Sequence, residues 1–179
     1  MNPRRYEELS RWASWFFDRN HWREARRLMR LQLREKPGSH WLLTRIGTTY
    51  YEQRDYKRAM SYSKRALRMA PHCPLVLWDY AGTLDMLGDR KSAIAVWRRL
   101  IKRGVRGLSR DECSEGMVWT RALVNDCWFR LGIANAALGR TQLARSAFQT
   151  YLRGRKRGAR SIYRIADARK RLRTLTSKP

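Results

Sequence analysis

Residues 40–71 read HWLLTRIGTTYYEQRDYKRAMSYSKRALRMAP, and this stretch decides the fold. Leu43, Ile46, Gly47 and Tyr50 fall at i, i+3, i+4 and i+7, the spacing that gathers side chains on one face of a helix. Ala59, Tyr62, Ala66 and Met69 line one face of a second helix. Between the two runs, Gln53-Arg54-Asp55 supplies a polar turn. Asp55 is placed to cap the second helix, and Pro71 to stop it. The stretch is therefore a helical hairpin with two apolar faces. One hairpin cannot bury both, so the pattern must recur elsewhere in the chain.

A shift of about 34 residues toward the N-terminus finds Trp12-Ala13, Phe16, Ala25 and Pro37. The same shift forward finds Tyr80-Ala81, Leu84, Ala93 and Trp97. A further copy is out of phase: Trp128, Leu131-Gly132, Leu138-Gly139, Ala144 and Phe148. Small residues recur at two places, Ala13, Gly47, Ala81 and Gly132 on the first helices and Ala25, Ala59, Ala93 and Ala144 on the second. Small side chains there let paired backbones approach closely. The pattern resembles the tetratricopeptide repeat, marked by W-x2-L-G-x2-Y, a later Ala and a closing Pro. Here Ile46-Gly47, Tyr50, Ala59 and Pro71 carry that signature; only the fourth copy has the usual Trp, and only the first two end in Pro.

The resemblance implies an all-α, right-handed superhelical solenoid of four helix–turn–helix repeats with a C-terminal capping helix. Residues 1–5 form a basic lead-in. The repeat domain covers 6–158, with repeats at 6–39, 40–73, 74–107 and 125–158 and an insertion at 108–124. Residues 159–179 form a basic capping helix and tail, with a helix expected over 159–174 and a stripe of Ile162, Ile165, Ala166 and Leu172. Gly104 should end the sixth helix. Ser109 to Glu112 offers a capping box for the seventh. The pattern from about Ser114 to Leu138 is helical throughout, and Met117, Leu123, Cys127, Leu131 and Ala134 make a stripe. Two readings of that region stand: an irregular long helix, or a pocket around Glu115, Trp119, Asn125 and Asp126. The aromatic wealth of the first repeat also leaves two readings. Either Trp15 and Phe17 pack on something beyond the repeats, or they belong to a binding surface.

Composition bounds the function. No run reaches the ~18 apolar residues of a membrane span, and the basic start lacks a secretory apolar core, so a cytoplasmic protein is expected. Cys73, Cys113 and Cys127 are odd in number and widely spaced, so free thiols are expected, with no metal and no cofactor. No glycine-rich phosphate loop, H-E-x-x-H or nucleophile elbow is present, and a noncatalytic protein is expected, with no catalytic residue assigned.

The net charge is +25, with Arg outnumbering Lys 32 to 8. Its placement is uneven. The first helices of the four repeats hold 3 basic residues and 7 acids, whereas the second helices hold 20 basic residues and 4 acids. In the family the first helices line a concave groove, so the resemblance implies a mildly acidic, aromatic groove and a cationic exterior. Groove candidates are Arg11, Trp41, Arg45, Tyr51, Glu52, Trp78, Asp79, Asp85, Trp119, Asp126, Phe129 and Arg130. The subset of the family that grips chaperone tails uses Lys and Asn at groove positions; Ser10, Ser14, Thr48, Trp78 and Gly82 stand there instead, which argues against that activity. Candidates for an anion or nucleic acid are Arg26, Arg27, Arg30, Arg65, Arg68, Arg98, Arg99, Arg155, Lys156 and Arg157. The first expectation is an adaptor that binds a peptide or helix of a protein partner in the groove. The alternative is a protein that holds an RNA or DNA backbone on its basic face and tail. A weaker alternative is a dedicated chaperone of a secreted or assembly partner.

Overall fold

The structure, a computed structural model, describes residues 2–111 and 113–176. Among them nine helices and no strands are found. They are α1 (Pro3–Asp18), α2 (Trp22–Glu35), α3 (His40–Glu52), α4 (Tyr56–Met69), α5 (Pro74–Met86), α6 (Arg90–Ser109), α7 (Met117–Ala137), α8 (Thr141–Lys156) and α9 (Ile165–Thr176). They fall into two units, α1–α5 and α6–α9, divided at Gly88/Asp89.

In the first unit α1 pairs with α2 and α3 with α4, while α3 also packs on α2 and α5. Its core is Ala13, Ala25, Met29, Leu42, Ile46, Tyr50 and Ala59, flanked by Phe16, Phe17, Leu28, Leu33, Tyr51 and Tyr62. The small residues sit where helices meet. A Cβ on Gly47 would touch Tyr62 Cβ at 3.4 Å. Local chemistry fixes the helix ends: Asp55 accepts the Arg58 N–H at 3.1 Å at the start of α4. Asp89 likewise accepts from Ser92 at 3.2 Å at the start of α6.

In the second unit α7 packs on α6 and α8, and α9 packs on α8. Phe129, Phe148, Tyr151 and Ala168 form its main cluster, and Trp97, Leu100 and Leu108 are fully buried. A Cβ on Gly132 would lie 2.6 Å from the Phe148 ring, so only glycine fits there. Gly104 interrupts α6 at φ 67°, ψ 171°, as its sequence position predicted, but the chain resumes a short helical turn through Ser109.

Three expectations are corrected. Ser109 ends α6 instead of opening α7, and its hydroxyl donates to Arg106 O. The start of α7 is Met117, its N-cap Gly116 has no side-chain cap, and Ser114 Oγ accepts the Gly116 N–H instead. The other member of the expected box, Glu112, lies outside the described residues. The last helix begins at Ile165, not at 159. Residues 159–164 are irregular, and Ile162, expected on the apolar stripe, is 73 % exposed. Ala166 is also exposed, and Ala168, Leu172 and Leu175 make the buried stripe.

Candidate functional site

The face built by the first helices of the first unit gathers several groove candidates. The Arg45 guanidinium lies 3.6 Å from the Phe17 ring centroid and 5.6 Å from that of Trp41. Flat guanidinium against aromatic faces is a favourable electrostatic pairing. Thr48 donates to the Asp79 carboxylate at 2.6 Å, which ties α3 to α5. Desolvation pushes the Asp79 carboxyl from 3.8 to about 6, and Glu52 adds repulsion, against the opposing pull of Thr48 and Arg45. Tyr51 packs edge-on against Tyr56 and approaches the Gly82 backbone. Trp41 is 43 % exposed; Arg11 and Glu52 are exposed, and Trp78 is half-buried. Asp85 departs from expectation, for it is buried at 6 % exposure and has no access to an external ligand.

The aromatic residues of α1 divide. Phe17 turns to Arg45, whereas Trp12, Trp15 and Phe16 form a separate cluster with His21, with ring centroids 5.1–6.3 Å apart.

In the second unit the corresponding candidates are already covered. Asp126 is buried and its Oδ2 accepts the Ile162 N–H at 3.3 Å. Phe129 is buried and stacks on Tyr163, centroids 4.1 Å apart and planes at 10°. The Arg130 guanidinium lies 5.5 Å from the Tyr163 ring centroid. The Tyr151 hydroxyl donates to Tyr163 O at 2.6 Å and lies 3.1 Å from Ser161 Oγ. The chain's own segment 161–163 therefore occupies the face that Asp126, Phe129 and Arg130 were expected to offer a partner. Burial pushes Asp126 from 3.8 to about 6, opposed by Ser161, the Ile162 N–H, Arg155 and Arg130. Asn125 is buried against Gly154 of α8, and only a glycine backbone leaves room for its amide. It does not join Glu115, which is exposed, in a pocket; Trp119 is half-buried.

The anion candidates separate as well. Arg26 is buried, donates to Thr49 at 3.0 Å and Gln53 at 2.8 Å, and stacks 4.1 Å from the Tyr50 ring centroid. Arg155 is half-buried and donates to Ala159 O at 2.7 Å. Both are structural, which composition could not reveal. Arg27, Arg30, Arg65, Arg68, Arg98, Arg99, Lys156 and Arg157 are exposed. Sequence reasoning missed Arg23 and Arg34. Their spacing from Arg27 and Arg30 along α2 was the available signal.

No helix among the described residues is long and apolar enough to cross a membrane. No curated protein matches the chain. Several solved structures share its fold. MamA 41-end from Desulfovibrio magneticus RS-1 is 12 % identical with a TM-score of 0.68, over 96 % of this chain and 93 % of that one. A tetratricopeptide repeat protein from Parabacteroides merdae ATCC 43184 is 18 % identical with a TM-score of 0.64, over 96 % of this chain and 60 % of that one. The tetratricopeptide repeat model itself matches residues 44–112 and 87–161. Those matches span most of the chain and coincide with the hairpins whose small residues bring the helices together: the chain belongs to the tetratricopeptide repeat family.

Proposed function

We propose that this protein is a noncatalytic scaffold that binds a segment of a partner protein across α1, α3 and α5. Repeats of this family generally mediate protein–protein interaction. The observation that carries the reading is the exposed Trp41 beside the Arg45–Phe17 stack, next to the Thr48–Asp79 pair. An amphipathic indole at a surface is an anchor that protein interfaces favour. Glu52 and Asp79 suit a basic side chain or a backbone N–H of the incoming segment. The second unit supplies a precedent within the molecule: its first-helix face holds a short irregular segment through one aromatic stack and one N–H to a carboxylate.

The test is affinity capture with nuclease present, comparing the natural protein with a Trp41→Ala, Glu52→Arg variant. Both positions are exposed, so the variant should keep its helical circular dichroism. A captured protein should be lost with the variant, and its binding segment should then titrate onto the natural protein alone. An unchanged set of captured proteins refutes the reading.

A further inference from the structure

We propose that the outer faces of α2 and α4 form a binding site for the phosphate backbone of a nucleic-acid strand, with Arg23, Arg27, Arg30 and Arg34 as its central row. These four fall at i, i+4, i+7 and i+11, so they share one stripe of α2. At about 1.5 Å rise per residue the stripe is roughly 16 Å long. Together with Leu31 they line an open cavity of about 440 Å³.

One member of the row, Arg30, is braced from below. Tyr50 of α3 and Tyr62 of α4 stack with centroids 5.6 Å apart. The buried Arg26 lies on the Tyr50 ring, and Arg30 donates to the Tyr50 hydroxyl. From α4, Arg58 approaches Tyr50 at 5.7 Å and Arg65 approaches Tyr62 at 5.4 Å. Two tyrosines thus join the basic stripe of α2 to that of α4. Such bracing reduces the side-chain entropy lost when a guanidinium meets its ligand.

The row is also uncompensated. Arg58 pairs with Asp55 at 3.2 Å and Arg103 with Asp111 at 3.1 Å. Among the described residues no carboxylate pairs with Arg23, Arg27 or Arg34. Unneutralised neighbouring cations repel one another, and a polyanion relieves that repulsion.

Three features favour a nucleic-acid strand over other anions. The four residues are spread over roughly 16 Å along one stripe of α2, so a single phosphate cannot meet the whole row. A nucleic-acid strand presents its phosphates in a regular succession, so a row of this length meets several of them in turn. Leu31 is the sole apolar residue of the cavity, whereas a protein partner would need an apolar anchor. This site lies on the second helices and does not depend on the peptide face of α1, α3 and α5.

The test is fluorescence anisotropy of a labelled single-stranded RNA of about twelve nucleotides. For four contacted phosphates the affinity should fall with salt at a log–log slope of roughly −3. Arg23→Glu, Arg27→Glu and Arg34→Glu together should weaken binding by tenfold or more and take about 2 from that slope. All three residues are exposed, and circular dichroism reports whether the fold is kept. The milder Arg27→Gln variant should lose about 0.7 of the slope. A reversal of Arg169, Lys170 and Arg173 on α9 should change affinity much less. The proposal is overturned if RNA does not bind at low salt, or if the α2 reversal leaves the slope intact. Displacement of the RNA by polyglutamate of equal charge at equal concentration also overturns it, and points to an acidic protein.

Discussion

At the scale of single residues, the turn inside each hairpin shows one constraint met in different ways. Asn20, Arg54, Gly88 and Gly139 hold the same place in the four repeats, and their φ angles are 63°, 60°, 90° and 70°. A side chain in this left-handed region costs about 1 kcal/mol. Arg54→Gly should therefore leave stability unchanged or raise it by up to about 0.5 kcal/mol, because the added chain entropy of glycine offsets most of the relieved strain; the urea midpoint reads the difference. The buried carboxyl of Asp126 makes a second case. Its folded value of about 6 lies above its ordinary 3.8, so the folded state favours the protonated form. That contribution is complete below about pH 4 and is lost as pH rises through about 6. Asp126→Asn should remove a stability loss on the order of 2 kcal/mol between pH 4.5 and 7.5, measured as the difference in urea midpoints between the two proteins. The comparison with Asn isolates this group from the global repulsion that grows as the other acids protonate.

At the scale of elements, the C-terminal segment matters more than its sequence suggests. Tyr163→Ala removes the ring that covers Phe129 and should cost about 2 kcal/mol, whereas Tyr163→Phe keeps the stack and should cost much less. Chemical denaturation of the two variants tests this. The hairpins were legible in the sequence because close helix contact admits only small residues there: Gly132 faces a phenyl ring and Gly47 the Tyr62 Cβ. The caps at Asp55 and Asp89 were legible because they act over three residues. The occupied face of α7 was not. Its contacts join Asp126 to Ile162 across 36 positions, and no local period records such a pairing. Arg26 misled for the opposite reason. Arginine is commonly exposed, and only the arrival of Tyr50, Thr49 and Gln53 from another element makes its burial tolerable.

At the scale of the whole molecule, a charge of +25 on 179 residues must repel itself, and only part of it is compensated locally. Raising sodium chloride from about 20 to 300 mM should raise the thermal midpoint, because the Debye length falls from about 20 Å to below 8 Å. Calorimetry at the two salt levels would show it. The placement of indoles has a different consequence, an optical one. Trp97 is shielded from solvent, whereas the three exposed tryptophans, Trp12, Trp15 and Trp41, all lie on α1 and α3. Iodide, drawn to a cationic surface, would quench these three ahead of the shielded indole. The part of the quenching that disappears in Trp41→Ala belongs to the proposed peptide face. The protein thus carries an intrinsic, label-free reporter of whether that face is empty or covered.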